Sequence, residues 1–142
     1  MKFASLATAL LALVLPTLAQ TTVQSVSYDT TYDDASLSLS SVACSNGVYG
    51  LETKGYTTLG SLPDFPYIGG AYTVTGWDSP ACGTCYSLTY GGTTIYVLAV
   101  DVALDGFNIS EEAMNALTGG LAVELGRVNA NATPVAASYC KL

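Results

Sequence analysis

Asp101 closes an unbroken apolar run, Ile95-Tyr96-Val97-Leu98-Ala99-Val100, and a carboxylate in that place has two uses. It can accept hydrogen bonds from sugar hydroxyls or an N-acetyl amide, or it can end a strand by satisfying backbone amides. Taken alone, the run favours strand closure. Tyr28-Asp29 sets an aromatic ring beside a second carboxylate. The C–H face of a sugar packs on such a ring while the carboxylate orients hydroxyls. Ten tyrosines against one tryptophan and three phenylalanines suit a polar, half-wet surface, although Tyr86, Tyr90 and Tyr96 read as half-buried strand residues. The chain has no histidine, which removes the usual general base, the commonest metal ligand and any Ser-His-Asp or Cys-His catalysis.

Cys44, Cys82, Cys85 and Cys140 make an even set, and two disulfides are expected. Spacing leaves all three pairings open. Cys82-Gly83-Thr84-Cys85 has the form of a redox motif but not its βαβ context, and the other two cysteines are too isolated for a zinc site. No metal or cofactor is expected.

These residues need a scaffold outside the reducing cytosol. Lys2, the apolar stretch Phe3 to Leu15, and Pro16-Thr17-Leu18-Ala19 read as a secretory signal peptide over residues 1–19. The stretch is too short for a membrane span. Residues 20–142 then form one domain. Loss of Lys2 takes the formal net charge from −7 to −8. Such a surface repels nucleic acid and anionic lipid. The 50% apolar content includes the leader and is no argument for surface activity.

Most of the domain reads as β. Cys85 to Tyr90 and Thr93 to Val100, joined by Gly91-Gly92, form a hairpin, because two-residue turns need positive φ. One short helix is expected after Ser110, with Glu111 and Glu112 at its positive end, Met114 and Leu117 facing the core, and Gly119 ending it. In the last strand, Val123 and Leu125 alternate on one parity and Val128 and Ala130 on the other, which predicts a bulge at Gly126. Leu62 to Tyr67 cannot be a central strand, since its two prolines lack ladder donors.

Several longer stretches, taken in order, resemble the cerato-platanin family. They are Ser27-Tyr28-Asp29-Thr30-Thr31-Tyr32-Asp33-Asp34, Phe65-Pro66-Tyr67-Ile68-Gly69-Gly70, and Gly76-Trp77-Asp78-Ser79-Pro80-Ala81-Cys82-Gly83-Thr84-Cys85. Ile95 to Asp101, Gly106-Phe107-Asn108-Ile109 and Ala113 to Gly120 continue the match over about residues 26–142. The resemblance implies a mainly β fold, a six-stranded double-psi β-barrel with short helices. It also implies pairings Cys44–Cys82 and Cys85–Cys140. It implies a secreted protein of the extracellular space or cell wall that binds chitin or N-acetylglucosamine oligomers, with β-glucan as a further partner. Loosening of wall polysaccharide without cutting, self-association at interfaces and elicitation of plant defence, through a plant receptor, are implied as well.

With that resemblance, Asp101 becomes the main sugar-binding candidate, followed by Tyr28, Asp29 and Asn108, with Gly83 and Thr84 as further contacts. Asn108-Ile109-Ser110 is also a glycosylation sequon, as is Asn131-Ala132-Thr133. A glycan on Asn108 would crowd a nearby groove, so either Asn108 is unoccupied or the groove lies elsewhere. The competing reading is a weak glycoside hydrolase, which needs two carboxyls about 5–5.5 Å or about 6.5–9.5 Å apart. Asp101 supplies one; Asp29, Asp33, Asp34 and Asp78 are candidates for the second by count alone. A lytic transglycosylase needs a single acid. A surface-active wall protein is the third reading. No residue is assigned a catalytic role.

Overall fold

A computed structural model describes residues 11–16 and 18–142. The leader expected over residues 1–19 therefore falls largely outside the described residues. Six strands close into a barrel: β1 (Thr22–Tyr28), β2 (Ile68–Ala71), β3 (Cys85–Tyr90), β4 (Thr93–Val102), β5 (Phe107–Ile109) and β6 (Arg127–Val135). Around the barrel they run β1-β5-β2-β4-β3-β6. The β1/β5 and β2/β4 pairs are parallel, and the remaining pairs are antiparallel.

Alternation sets the inward face. On β6, Val128, Ala130 and Ala132 are buried while Arg127, Asn129 and Asn131 are exposed. Val26, Leu88, Val97, Phe107 and Ile109 meet them in the core. The β3–β4 hairpin turns at Gly91 (φ 56°) and Gly92 (φ 81°), both left-handed as the turn requires. Between β1 and β2 the chain forms short 3-10 turns whose Leu39, Leu51 and Leu59 are fully buried. Prolines keep residues 62–67 out of the sheet, as expected.

Two short helices are described. In α1 (Glu111–Thr118) the Ser110 hydroxyl accepts from the Ala113 N–H at 3.0 Å, and Gly119 ends the helix in the left-handed region. The Asp33 carboxylate adds a second cap, accepting from the Glu111 and Glu112 N–H groups at 2.8 and 3.0 Å. The bulge expected at Gly126 is not found. Ala122–Leu125 form a one-turn helix, α2, and Gly126 ends it before β6 begins. Val123 and Leu125 are exposed, so their alternation marks no sheet face. Asn115 Oδ1 accepts from the Ala122 N–H at 3.0 Å and ties this turn to α1.

The disulfides are Cys44–Cys82 and Cys85–Cys140, with Cα atoms 5.4 and 5.7 Å apart. They span 38 and 55 residues of chain. On a chain-entropy account each stabilises the fold by about 4 kcal/mol.

Candidate functional site

Asp101 is half-buried near the end of β4, and three protein donors hold it. Its Oδ1 accepts from the Ala43 N–H at 3.0 Å and from the Val102 N–H at 2.9 Å. Its Oδ2 accepts from the Tyr32 hydroxyl at 3.0 Å. Tyr32 is buried; burial, then the Asp101 charge, pushes its phenol well above the usual range and keeps it a donor. A carboxylate offers about four lone-pair sites, so roughly one remains for an incoming donor.

Register places Asp101 in a lateral row. Arg127 on β6 pairs with Ser27 on β1, and Ser27 pairs with Asn108 on β5. Asn108 pairs with Gly70 on β2, and Gly70 with Asp101 on β4. Laterally paired residues share a face, and their neighbours Val26, Phe107 and Val128 point into the core. Glycine is required in the middle of this row. A Cβ on Gly70 would lie 2.5 Å from the Val102 carbonyl oxygen, and one on the neighbouring Gly69 would collide with that of Asn108.

A depression of about 430 Å³ lies along this row, lined by Ser27, Asn108, Arg127 and the segment Val102 to Asp105. The Ser27 hydroxyl donates to Asn108 Oδ1 at 2.9 Å, which leaves the Asn108 amide N–H groups to donate elsewhere. Arg127 donates to the Ser25 hydroxyl and Asp105 is exposed, so a cation and an anion flank the opening. A small polar depression bearing both donors and acceptors is matched to a neutral, hydroxyl-rich ligand better than to a strongly charged one.

Of the residues singled out from sequence, Asn108 lines this depression. Asp101 shares its lateral row without lining it. Tyr28 is half-buried one residue beyond Ser27, and Asp29 is exposed, its Oδ1 accepting from the Thr31 N–H at 2.8 Å. Gly83 and Thr84 do not line the depression; they pair with Ala99, two residues before Asp101 on β4. Gly83 is buried and donates its N–H to the Ala99 carbonyl at 2.9 Å, and the Thr84 carbonyl accepts from the Ala99 N–H at 2.9 Å. The sequence reading missed Ser27, Asp105 and Arg127. Arg127 had a signal, being one of very few cations in an acidic chain; Ser27 and Asp105 had none before the register was known.

The other carboxylates considered as partners for Asp101 each accept from a backbone amide. Asp33 caps α1, Asp34 accepts from the Ser36 N–H at 2.9 Å, and Asp78 accepts from the Tyr49 N–H at 2.8 Å. Among the described residues no cluster of three metal-ligating side chains occurs, and no helix is long and apolar enough to cross a membrane.

The family model Cerato-platanin matches residues 24–142. The "Heat-stable 19 kDa antigen" of Coccidioides immitis is 47% identical, over all of this chain and 99% of that protein. "Allergen Asp f 15" of Aspergillus fumigatus is 56% identical, over 82% of this chain and 76% of that protein. Among solved structures, cerato-platanin 3 from M. perniciosa superposes with a TM-score of 0.82 at 48% identity, covering 85% of this chain and 100% of that one. The fungal elicitor Cerato-Platanin in solution gives 0.74 at 47% identity, covering 82% and 95%.

Proposed function

We propose, from the premise that this chain belongs to the cerato-platanin family, that it is a secreted wall-associated protein that binds an uncharged chitin-type oligosaccharide without cleaving it. The observation that carries this reading is the lateral row from Arg127 through Ser27, Asn108 and Gly70 to Asp101, beside an open depression. Asn108 amide groups and Arg127 donate to an N-acetyl carbonyl or a hydroxyl. Asp105 and the remaining Asp101 acceptor site receive hydroxyl donors. β-Glucan is the secondary ligand, since the same groups recognise hydroxyls generally.

Binding is favoured over hydrolysis by what surrounds Asp101. Three protein donors already occupy most of its acceptor sites, which leaves room for one sugar hydroxyl but little for the attack on a glycosidic bond. Each carboxylate named as a second member already accepts from a backbone amide: Asp29 and Asp34 within their own turns, Asp33 at the start of α1, and Asp78 from the Tyr49 loop. Wall loosening then follows from competition: each sugar hydroxyl bonded by the protein is withdrawn from its neighbour chain. Elicitation of plant defence, which the family resemblance implies, belongs to this reading, and a similar protein, Cerato-Platanin, is a fungal elicitor.

A second reading, surface activity, has one observation in its favour. Val48, Tyr49 and Trp77 are exposed on two loops tied together by the Asp78–Tyr49 bond and by Trp77 Nε1 donating to Asn46 Oδ1 at 2.6 Å. They offer an apolar patch to an interface or to a second molecule.

The test is a residue-resolved NMR titration of the mature chain with N-acetylglucosamine hexamer. Shifts at Ser27, Asn108 and Arg127 that vanish in Asn108→Ala are expected. Binding with no shift in that row would overturn the site. New chain ends that disappear in Asp101→Asn would overturn the non-hydrolytic reading.

A further inference from the structure

Asp64 is the residue the fold has least reason to bury. Its side chain is 5% exposed, and Oδ2 has no hydrogen-bond partner. Burial pushes its carboxyl up to about 6, and the charge of Lys141 opposes that rise only in part. A buried acceptor without a donor is costly. Such groups gather where a ligand supplies what the protein withholds.

Asp64 lines a cavity of about 300 Å³ with Tyr67, Tyr96, Tyr139 and Lys141. The rings of Tyr96 and Tyr139 stack at 5.0 Å with 26° between their planes. Tyr139 is 55% exposed, so the pair presents a flat aromatic platform to solvent. Thr94 and Ile95 complete the wall.

The chemistry narrows the occupant. A cation would meet the Lys141 ammonium, and an anion would meet the Asp64 carboxylate. A compact ammonium is best held by rings that face it from several sides, whereas two stacked rings leave one flat surface. An apolar ligand would leave Asp64 unsatisfied. A flat, uncharged molecule with both hydroxyl donors and acceptors meets every group present: its C–H face lies on the platform, a hydroxyl donates to Asp64, and Lys141 donates to a ring or hydroxyl oxygen.

We propose that the cavity bounded by Asp64, Tyr67, Tyr96, Tyr139 and Lys141 is a second glycan subsite, which takes one uncharged pyranose ring on the Tyr96–Tyr139 platform. It is separate from the depression beside Asn108. Tyr96 and Val102 line the two cavities from opposite halves of β4, about 20 Å apart along the strand. The proposal does not rest on the first site. Together the two sites let one molecule hold two polysaccharide chains.

The test is an NMR titration of the mature chain with cellohexaose, laminarihexaose and N-acetylglucosamine hexamer in turn. At least one hexamer is expected to shift the amides of Tyr96, Tyr139 and Lys141. Tyr139→Ala, at an exposed position, is expected to weaken that binding about tenfold, and Asp64→Asn by a similar factor. Asn108→Ala should leave it within about twofold, since distant sites act independently. No shift around Tyr139 with any of the three hexamers overturns the proposal, as does unchanged affinity in Tyr139→Ala. Shifts confined to Ser27, Asn108 and Arg127 overturn this subsite and leave the first standing; shifts confined to Tyr96, Tyr139 and Lys141 do the reverse.

Discussion

The Tyr32 hydroxyl donates to Asp101 Oδ2 at 3.0 Å, across 69 residues of sequence. The bond joins the turn after β1 to the end of β4 and fixes which way the carboxylate faces. Tyr32→Phe leaves the buried ring in place and removes only this donor. Its expected cost is about 1–2 kcal/mol, read as a lower melting temperature. An unchanged melt would mean that water replaces the phenol at no cost.

The same geometry decides how Asp101 should be tested. Asp101→Ala strips the acceptor from the Ala43 and Val102 amides and so damages the fold together with any site. Asp101→Asn keeps one acceptor oxygen for those amides. It is expected to weaken N-acetylglucosamine hexamer binding about tenfold while the backbone spectrum stays native. Equal affinity in Asp101→Asn would leave Asp101 as a strand-end residue, the use that its sequence position alone favours.

The disulfides span 38 and 55 residues of a single domain. Cys85–Cys140 ties β3 to the last turn of the chain, beyond β6. Reduction of both bonds is expected to lower the melting temperature by about 10 °C or more, because each contributes about 4 kcal/mol. Equal melts for reduced and oxidised samples would mean that the apolar core suffices alone.

What could be read in advance was local. The β3–β4 hairpin is written in Gly91-Gly92, and α1 in Ser110, Glu111, Glu112 and Gly119, each acting within a few residues of itself. The one-turn helix Ala122–Leu125 was not legible, because a single turn with two exposed apolar residues carries the same pattern as a strand. The disulfide pairing was not legible from spacing and came only with the family resemblance. The partners of Asp101 come from Tyr32 and Ala43, 69 and 58 residues away, and only closure of the barrel brings them together. Asp64 sits in the proline-flanked stretch whose sequence says only that it cannot be a central strand. Only the folded chain brings it to one cavity with Tyr67, Tyr96, Tyr139 and Lys141.

Asp64 contributes a pH dependence opposite in sign to that of a carboxylate stabilised by donors. Unfolded, it titrates near 3.8; folded, burial raises it to about 6, with Lys141 the charged group facing it. The folded chain holds the proton more tightly, so this group's contribution is complete below about pH 4 and is lost as pH rises through about 6. At about pH 8 the ionised side chain costs up to about 3 kcal/mol. Asp64→Asn is therefore expected to melt several degrees above the parent at about pH 8, with no such gain at about pH 4. An equal difference at both pH values would count against a buried carboxylate. Higher stability with weaker glycan binding is the signature of a residue kept for a ligand rather than for the fold.

The two sequons differ in access. Asn131 is exposed on the outer face of β6, and nothing among the described hydrogen bonds engages its side chain. Asn108 is half-buried on β5, paired on both sides by β1 and β2, and its Oδ1 already accepts from Ser27. A glycan there would stand in the depression that Asn108 lines. Protein secreted from a fungal host is expected to carry an N-glycan at Asn131 alone, so that Asn131→Gln loses the added mass and Asn108→Gln does not. A glycan on Asn108 together with undiminished hexamer binding would remove Asn108 from the site. The ligand would then have to lie further along the row, towards Asp101, or on the Tyr96–Tyr139 platform.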